Sequence, residues 1–154
     1  MKVYLVQHGE SKSEAEDPKR PLTEKGKEAV GTVADYVAPL GLEVAIIVHS
    51  SRLRARQTAE IFARCLSPAQ GVREVEGVGP LDDPHEAEQL IRQAERPLMI
   101  VGHLPHLSRL ASLLILGTPE REIVRFRMGG VVCLSESDNK WSVEWALMPE
   151  LVHQ

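Results

Sequence analysis

Three short apolar runs, each ending in a turn that carries histidine or arginine, limit what this chain can fold into. Residues 3–6 run into Gln7-His8-Gly9-Glu10-Ser11. Residues 44–48 run into His49-Ser50-Ser51-Arg52-Leu53-Arg54, and residues 98–101 into Gly102-His103. Unbroken apolar runs of this length suit parallel strands covered on both faces. The second and third turns lead directly into helical patterns, as in an open α/β sheet. In such sheets ligands bind outside the carboxyl ends of the strands. His8, Arg54 and His103, far apart in the chain, are therefore expected at one sheet edge.

The segments between complete the pattern. Residues 10–20 are polar and acidic, with Glu14, Glu16 and Asp17 before Pro18, and predict a loop whose functional use would be a flap. Thr23 is a good N-cap, and Glu24 suits the positive end of a helix dipole. Ala29, Val30, Val33, Ala34 and Val37 then recur at helical spacing until Pro39 and Gly41. Ser50 or Ser51 is placed to cap the next helix, whose buried stripe is Ala55, Ala59, Phe62 and Leu66. Arg52, Arg56, Glu60 and Arg64 form a solvated row. Arg54 instead shares a covered flank with Thr58, Ile61 and Cys65, a placement that suits either a site residue aimed past the helix start toward the sheet edge or a surface arginine whose stem packs on that flank.

Residues 73–75 predict a short strand. Asp83-Pro84-His85-Glu86 opens a helix, with Asp83 as cap, Pro84 in the first helical position and Glu86 completing a capping-box-like pair. Asp82 has no such structural duty and is the better candidate for a proton donor. After His103 a helix that is apolar nearly all round begins near Pro105 and stops at Gly117 and Pro119. Residues 123–126, 131–134 and 141–145 predict three strands. The turn Ser137-Asp138-Asn139 pairs the last two antiparallel. The expected fold class is α/β: three layers, α/β/α, around a mostly parallel mixed sheet, with residues 1–154 as one domain.

Bulk properties narrow the partners. At 154 residues, 43% hydrophobic and 26% charged, the chain can bury a real core. Its net charge of -4 argues against a general nucleic-acid binder, whose footprint is a basic patch. It does not exclude a small anion at a locally basic site. Cys65 and Cys133 lie in apolar stretches and are expected as buried free thiols of a reducing cytosol. The first apolar run is too short for a signal-peptide core or a membrane span. A cytoplasmic protein engaging neither nucleic acid nor membrane is expected.

Two histidines and an arginine at one strand edge suit a phosphoryl group. Neutral imidazole is a competent nucleophile toward phosphorus. An arginine fork binds phosphate oxygens and neutralises transition-state charge. Backbone amides at Gly9 and at the helix starts after Ser51 and His103 can add donors. A metal site fails on ligand count, since His8, His49 and His103 have no close-spaced partner of a usual kind. His106 has no assigned role and is expected to face solvent at a helix start. His49 is similar, near the rim.

The heptapeptide from Leu5 to Ser11 resembles the Arg-His-Gly signature of the histidine phosphatase superfamily, which includes the cofactor-dependent phosphoglycerate mutases. Arg20-Pro21-Leu22-Thr23-Glu24-Lys25-Gly26, Ser50-Ser51-Arg52-Leu53-Arg54-Ala55-Arg56-Gln57-Thr58-Ala59 and Val101-Gly102-His103-Leu104-Pro105-His106-Leu107 follow in the family's order. The short length and the His-Leu-Pro form most resemble the small SixA-type phosphohistidine phosphatases. The resemblance implies a phosphoglycerate mutase-like fold. It implies that His8 attacks phosphorus, that Arg54 clamps the phosphoryl oxygens and that His103 bonds the same oxygens, with Gln7 and Gly9 also at the phosphate. Water then releases phosphate, with no metal and no organic cofactor required. The implied substrate is phosphohistidine on a signalling protein, such as a histidine phosphotransfer domain.

Gln7 departs from the family, which has arginine before the nucleophile. Lys12 and Arg20 are the candidates to replace the missing charge. A small-metabolite phosphomonoesterase, favoured if Asp82 points at His8, and a phospho-binding module impaired by Gln7 are the alternatives. A mutase is disfavoured, because the chain has no room for long substrate-covering insertions.

Overall fold

Alternation along the apolar runs divides the core into two halves, one on each side of a sheet. In the computed structural model, which describes residues 1–152, six strands form that sheet. They are β1 (Lys2–Gln7), β2 (Ile46–His49), β3 (Val72–Glu74), β4 (Leu98–Gly102), β5 (Val131–Ser137) and β6 (Lys140–Leu147), in the spatial order β3-β2-β4-β1-β5-β6. The first four run parallel, β5 adds antiparallel to β1, and β6 pairs antiparallel with β5. Among the described residues four α-helices flank the sheet: α1 (Glu24–Val37), α2 (Leu53–Leu66), α3 (Pro84–Gln93) and α4 (His106–Leu116).

Successive strand residues point to opposite faces. Tyr4, Val6, Ile47, Met99 and Val101 therefore pack with Val30 and Val33 of α1 and with Ala55, Ala59 and Phe62 of α2. Val3, Leu5, Val48, Leu98 and Ile100 meet Ala87 and Ile91 of α3 and Leu107 and Leu110 of α4 on the other face. Each fully buried side chain of this size contributes about 1.5–3 kcal/mol. The two half-cores lock β1 and β4 side by side at the centre, so their carboxyl ends emerge together.

Local signals act largely as the residue types require. Thr23 Oγ1 accepts from the Gly26 amide at 2.9 Å and opens α1, and Gly41 (φ 70°) ends the 3-10 turn that follows it. Asp83 caps α3 by accepting from the His85 amide at 3.0 Å, with Pro84 in the first helical position. The capping-box partner does not form, because the Glu86 side chain packs against Gly77. Asp138 and Asn139 both take positive φ (54° and 61°), the geometry of the tight turn that joins β5 to β6.

Three further expectations are corrected. Neither Ser50 nor Ser51 supplies a side-chain cap for α2; Arg52 holds the N-cap position with no side-chain bond, and Ser50 is engaged inside the site. Residues 123–126 form no strand. The open side of β1 is filled by β5, from Lys2↔Ser135 to Val6↔Val131, and β6 covers the far side of β5. The segment before β5 instead ties to the end of β1, where the Gly129 amide donates to the Gln7 carbonyl at 2.8 Å. Both thiols are free, as expected, but Cys65 is only half-buried.

Gly26 sets how closely α1 approaches the loop that follows β1. A Cβ there would stand 3.0 Å from the Glu10 amide nitrogen and carbonyl carbon, and nearer still to the carbonyl oxygen. Helix propensity alone favours alanine by roughly 1 kcal/mol. The clash is with backbone, so Gly26→Ala is expected to lower the unfolding free energy in urea by about 1–3 kcal/mol. A neutral or stabilised variant would mean that the loop is free to withdraw from α1.

Candidate active site

His8 follows the last residue of β1 and is held from both sides. Its amide donates to the Gly102 carbonyl of β4 at 3.1 Å. The next amide, of Gly9, donates to Thr58 Oγ1 at 3.0 Å, and the Thr58 hydroxyl donates to the Arg54 carbonyl at 2.8 Å. The turn after β1 is thus stitched to β4 and to α2. Gly9 has to be glycine, because a Cβ would lie 2.7 Å from Val30 Cγ2 and 3.2 Å from the Gly26 carbonyl oxygen. The His8 ring contacts the Gly9 carbonyl through Nδ1 at 2.7 Å. A carbonyl only accepts, so Nδ1 carries the proton and Nε2 keeps its lone pair. Burial, reinforced by the nearby charges of Arg54 and Arg20, lowers the His8 pKa to about 4 despite the bond to Gly9. At neutral pH the ring is an uncharged base with Nε2 available.

His103, just past β4, lies with its ring centroid 5.0 Å from that of His8. It is almost fully buried. Its Nε2 meets Ser50 Oγ at 2.6 Å, and Ser50 Oγ also accepts from the Arg52 amide at 3.3 Å. The Ser50 hydroxyl has one proton and, among the described residues, no other acceptor, so it donates to His103 Nε2 and leaves the imidazole proton on Nδ1. That Nδ1 is buried without a partner among the described residues. Burial first, then the charges of His8, Arg54 and Arg52, lower the His103 pKa to about 3. His103 is therefore a neutral hydrogen-bond donor beside His8.

Arg54, in the first turn of α2, is close enough for its charge to act on both histidines. Its Nε is buried without a partner among the described residues, and desolvation, then Arg20 and Arg52, push its pKa down. Its flank is covered as expected, with Thr58 and Ile61 buried. Gln7 ends β1 in register with Gly102, and its Oε1 is also buried without a partner among the described residues. Of the two residues expected to replace the missing charge, Arg20 lies near His8 and Arg54, whereas Lys12 lies near Glu16. Arg20 is fixed there by bonds from Nε to the Lys12 carbonyl (3.2 Å) and from its terminal nitrogen to Ser11 Oγ (3.3 Å).

The remaining expectations fare differently. The Gly9 amide, expected among the phosphate donors, is engaged by Thr58. Asp82 is exposed, and its Oδ2 accepts from the Gly79 amide at 2.8 Å. Its charge bears on His106. His106 does not face solvent: it is fully buried, because the turn carrying Gly77 and Asp82 closes over the start of α4. His49 is buried too, with Nδ1 donating to the Ser50 carbonyl at 2.7 Å, so it braces the turn that carries Ser50. Ser50 itself was legible only as a helix cap; no spacing rule pairs it with a histidine 53 residues away.

The geometry has relatives. The model of the histidine phosphatase superfamily (branch 1) matches residues 3–82. An uncharacterized protein of Picosynechococcus sp. is 32% identical over 91% of this chain and 93% of its own length. Phosphohistidine phosphatase SixA of Escherichia coli K12 is 25% identical, over 97% of this chain and 94% of its own. Among solved structures, the protein histidine phosphatase SixA complexed with tungstate superposes with a TM-score of 0.84 at 21% identity, covering 99% of this chain and all of that one.

Two outcomes are expected of this arrangement. Ser50→Ala should let the His103 tautomer equilibrate, seen as averaged ring 15N shifts, while the wild type reads as the Nδ1–H form. Unchanged shifts would mean that another group sets the tautomer. For stability, His8 and His103 are neutral when folded but titrate near their ordinary value of about 6.5 when unfolded. The unfolded chain then binds more protons below that pH, so stability is full above it and falls as pH drops toward about 4 and about 3. Urea titrations of wild type and His103→Asn across this window should give the shallower pH dependence for the variant.

Proposed function

The chain belongs to the histidine phosphatase superfamily and is a phosphatase, and we propose that it is a SixA-like phosphohistidine phosphatase acting through His8. The observation that carries this reading is the His8 ring. Its Nδ1–H is anchored on the Gly9 carbonyl, its Nε2 lone pair is free, and His103 stands 5.0 Å away between ring centroids.

In the proposed reaction His8 Nε2 attacks phosphorus as the bond from phosphorus to the substrate nitrogen breaks, and the departing nitrogen takes up a proton from water. The Nδ1–H bond to Gly9 stabilises the cationic ring that forms. Arg54 clamps two phosphoryl oxygens, and His103 donates from Nδ1 to one of them. Ser50 positions His103 by fixing that proton. Water then attacks the phosphorus, the bond to Nε2 breaks, and phosphate leaves. The leaving nitrogen of a phosphoramidate needs little help from an acid. The engagement of Asp82 by the Gly79 amide supports such a substrate over an alkyl ester, although Asp82 stays the candidate acid. The similarity to phosphohistidine phosphatase SixA points to the same substrate class. A histidine phosphotransfer domain is the expected partner.

Gln7 in place of arginine removes a charge and a fork. Charge-assisted bonds contribute roughly 1.5–3 kcal/mol, which corresponds to about ten- to several-hundredfold in rate. Arg20, fixed beside His8 and Arg54, offsets part of that loss. Turnover of a phosphohistidine protein and of an aryl phosphate is the deciding measurement. His8→Ala is expected to abolish both, the wild type to prefer the phosphohistidine protein, and Gln7→Arg to raise kcat by about tenfold or more. A silent wild type rescued by Gln7→Arg would instead assign a phospho-binding role, and a preference for the aryl phosphate would favour a metabolite phosphatase.

A further inference from the structure

A cleft of about 650 Å3 opens beside Arg54, lined by Lys19, Arg20, Ser51, Arg52 and Glu14. The chain as a whole is acidic, at -4, yet four cations meet here against one carboxylate. None of the four is in an ion pair; the pairs among the described residues all involve other side chains. Like charges gathered without partners repel one another, so the cluster is stabilised only by something anionic from outside. Arg20 takes a left-handed backbone (φ 50°) and is tied to Lys12 and Ser11, so its charge is held in place. Arg52 and Lys19 are exposed. Arg54 is common to this cleft and to the site between His8 and His103, so the two are continuous.

We infer that the cleft is a docking subsite for carboxylate side chains on the protein surface around the phosphorylated histidine. The phosphoryl group enters between His8, Arg54 and His103, and acidic residues beside it lie along Lys19 and Arg52. The inference rests on the phosphohistidine reading above and adds which protein surfaces satisfy it. Small-ligand pockets enclose their ligands in largely apolar walls. This cleft is open and charged, the character of a surface that steers and orients a macromolecule.

The test compares a histidine-phosphorylated phosphotransfer protein with acidic flanking residues against phosphoramidate, which has no flank. In Lys19→Glu/Arg52→Glu the ratio of kcat/KM for the protein to that for phosphoramidate is expected to fall by about tenfold, mainly through KM. In the wild type the same ratio should fall as ionic strength rises from about 0.05 to about 0.3 M. A ratio unmoved by the substitutions overturns the subsite. So does an equal loss on a small bis-anionic phosphomonoester, which would assign the cleft to a second acid group of a metabolite. Binding of the same phosphoprotein to His8→Ala, with and without the two reversals, reads the subsite without turnover. A Kd raised about tenfold supports it, and an unchanged Kd overturns it. If the wild type leaves phosphohistidine intact while this Kd still responds, the proposed reaction fails and the docking subsite stands.

Discussion

The site depends on one pair of backbone bonds, those of His8 and Gly9. The His8 amide is held by β4 and the Gly9 amide by Thr58 of α2. Because Thr58 also bonds the Arg54 carbonyl, the same clasp that positions the histidine positions the first turn carrying the arginine. Three segments distant in sequence are joined at one point with no charged group involved. Two nitrogens are left over: Arg54 Nε and His103 Nδ1 are buried with no acceptor among the described residues. An unsatisfied buried donor costs about 1–3 kcal/mol. The rest of the fold carries that cost, and a phosphoryl oxygen is the group that would relieve it.

Burial does a second piece of chemistry. Both facing histidines are driven far below their ordinary pKa, to about 4 and about 3, chiefly by desolvation. A charged His8 would have no lone pair with which to attack phosphorus. The arginines supply the positive charge instead, since a guanidinium keeps its proton even where burial lowers its pKa. In the proposed reaction the division is between neutral rings, one attacking phosphorus and one donating a hydrogen bond, and fixed cations that hold the anion. In that reading Gln7 weakens the second group and leaves the first intact.

Much of this was legible in the chain. Continuous apolar runs ending in His8, Arg54 and His103 require buried parallel strands, and parallel strands share one carboxyl edge, so the convergence follows from topology alone. Thr23, Asp83 and the Asp138-Asn139 turn act through bonds to near neighbours, and local sequence is sufficient for them. The failures have a common cause. Residues 123–126 have strand chemistry, but β5 occupies the edge they needed. Ser50 has the chemistry of a cap, but His103 arrives opposite it. His106 has the look of a solvent-facing residue until the turn around Gly77 closes over it.

The sequence by itself therefore determined the helices, every strand but the one expected over residues 123–126, the edge at which the polar turns meet and the residue types available there, because periodicity and capping are local. Only the tertiary structure decided which proton His8 and His103 carry, that Arg20 and not Lys12 stands beside the site, and that unpaired cations line a cleft next to Arg54. Those are pairings across space. A hydrogen bond or a field between groups tens of residues apart leaves no periodic mark in the chain that makes it.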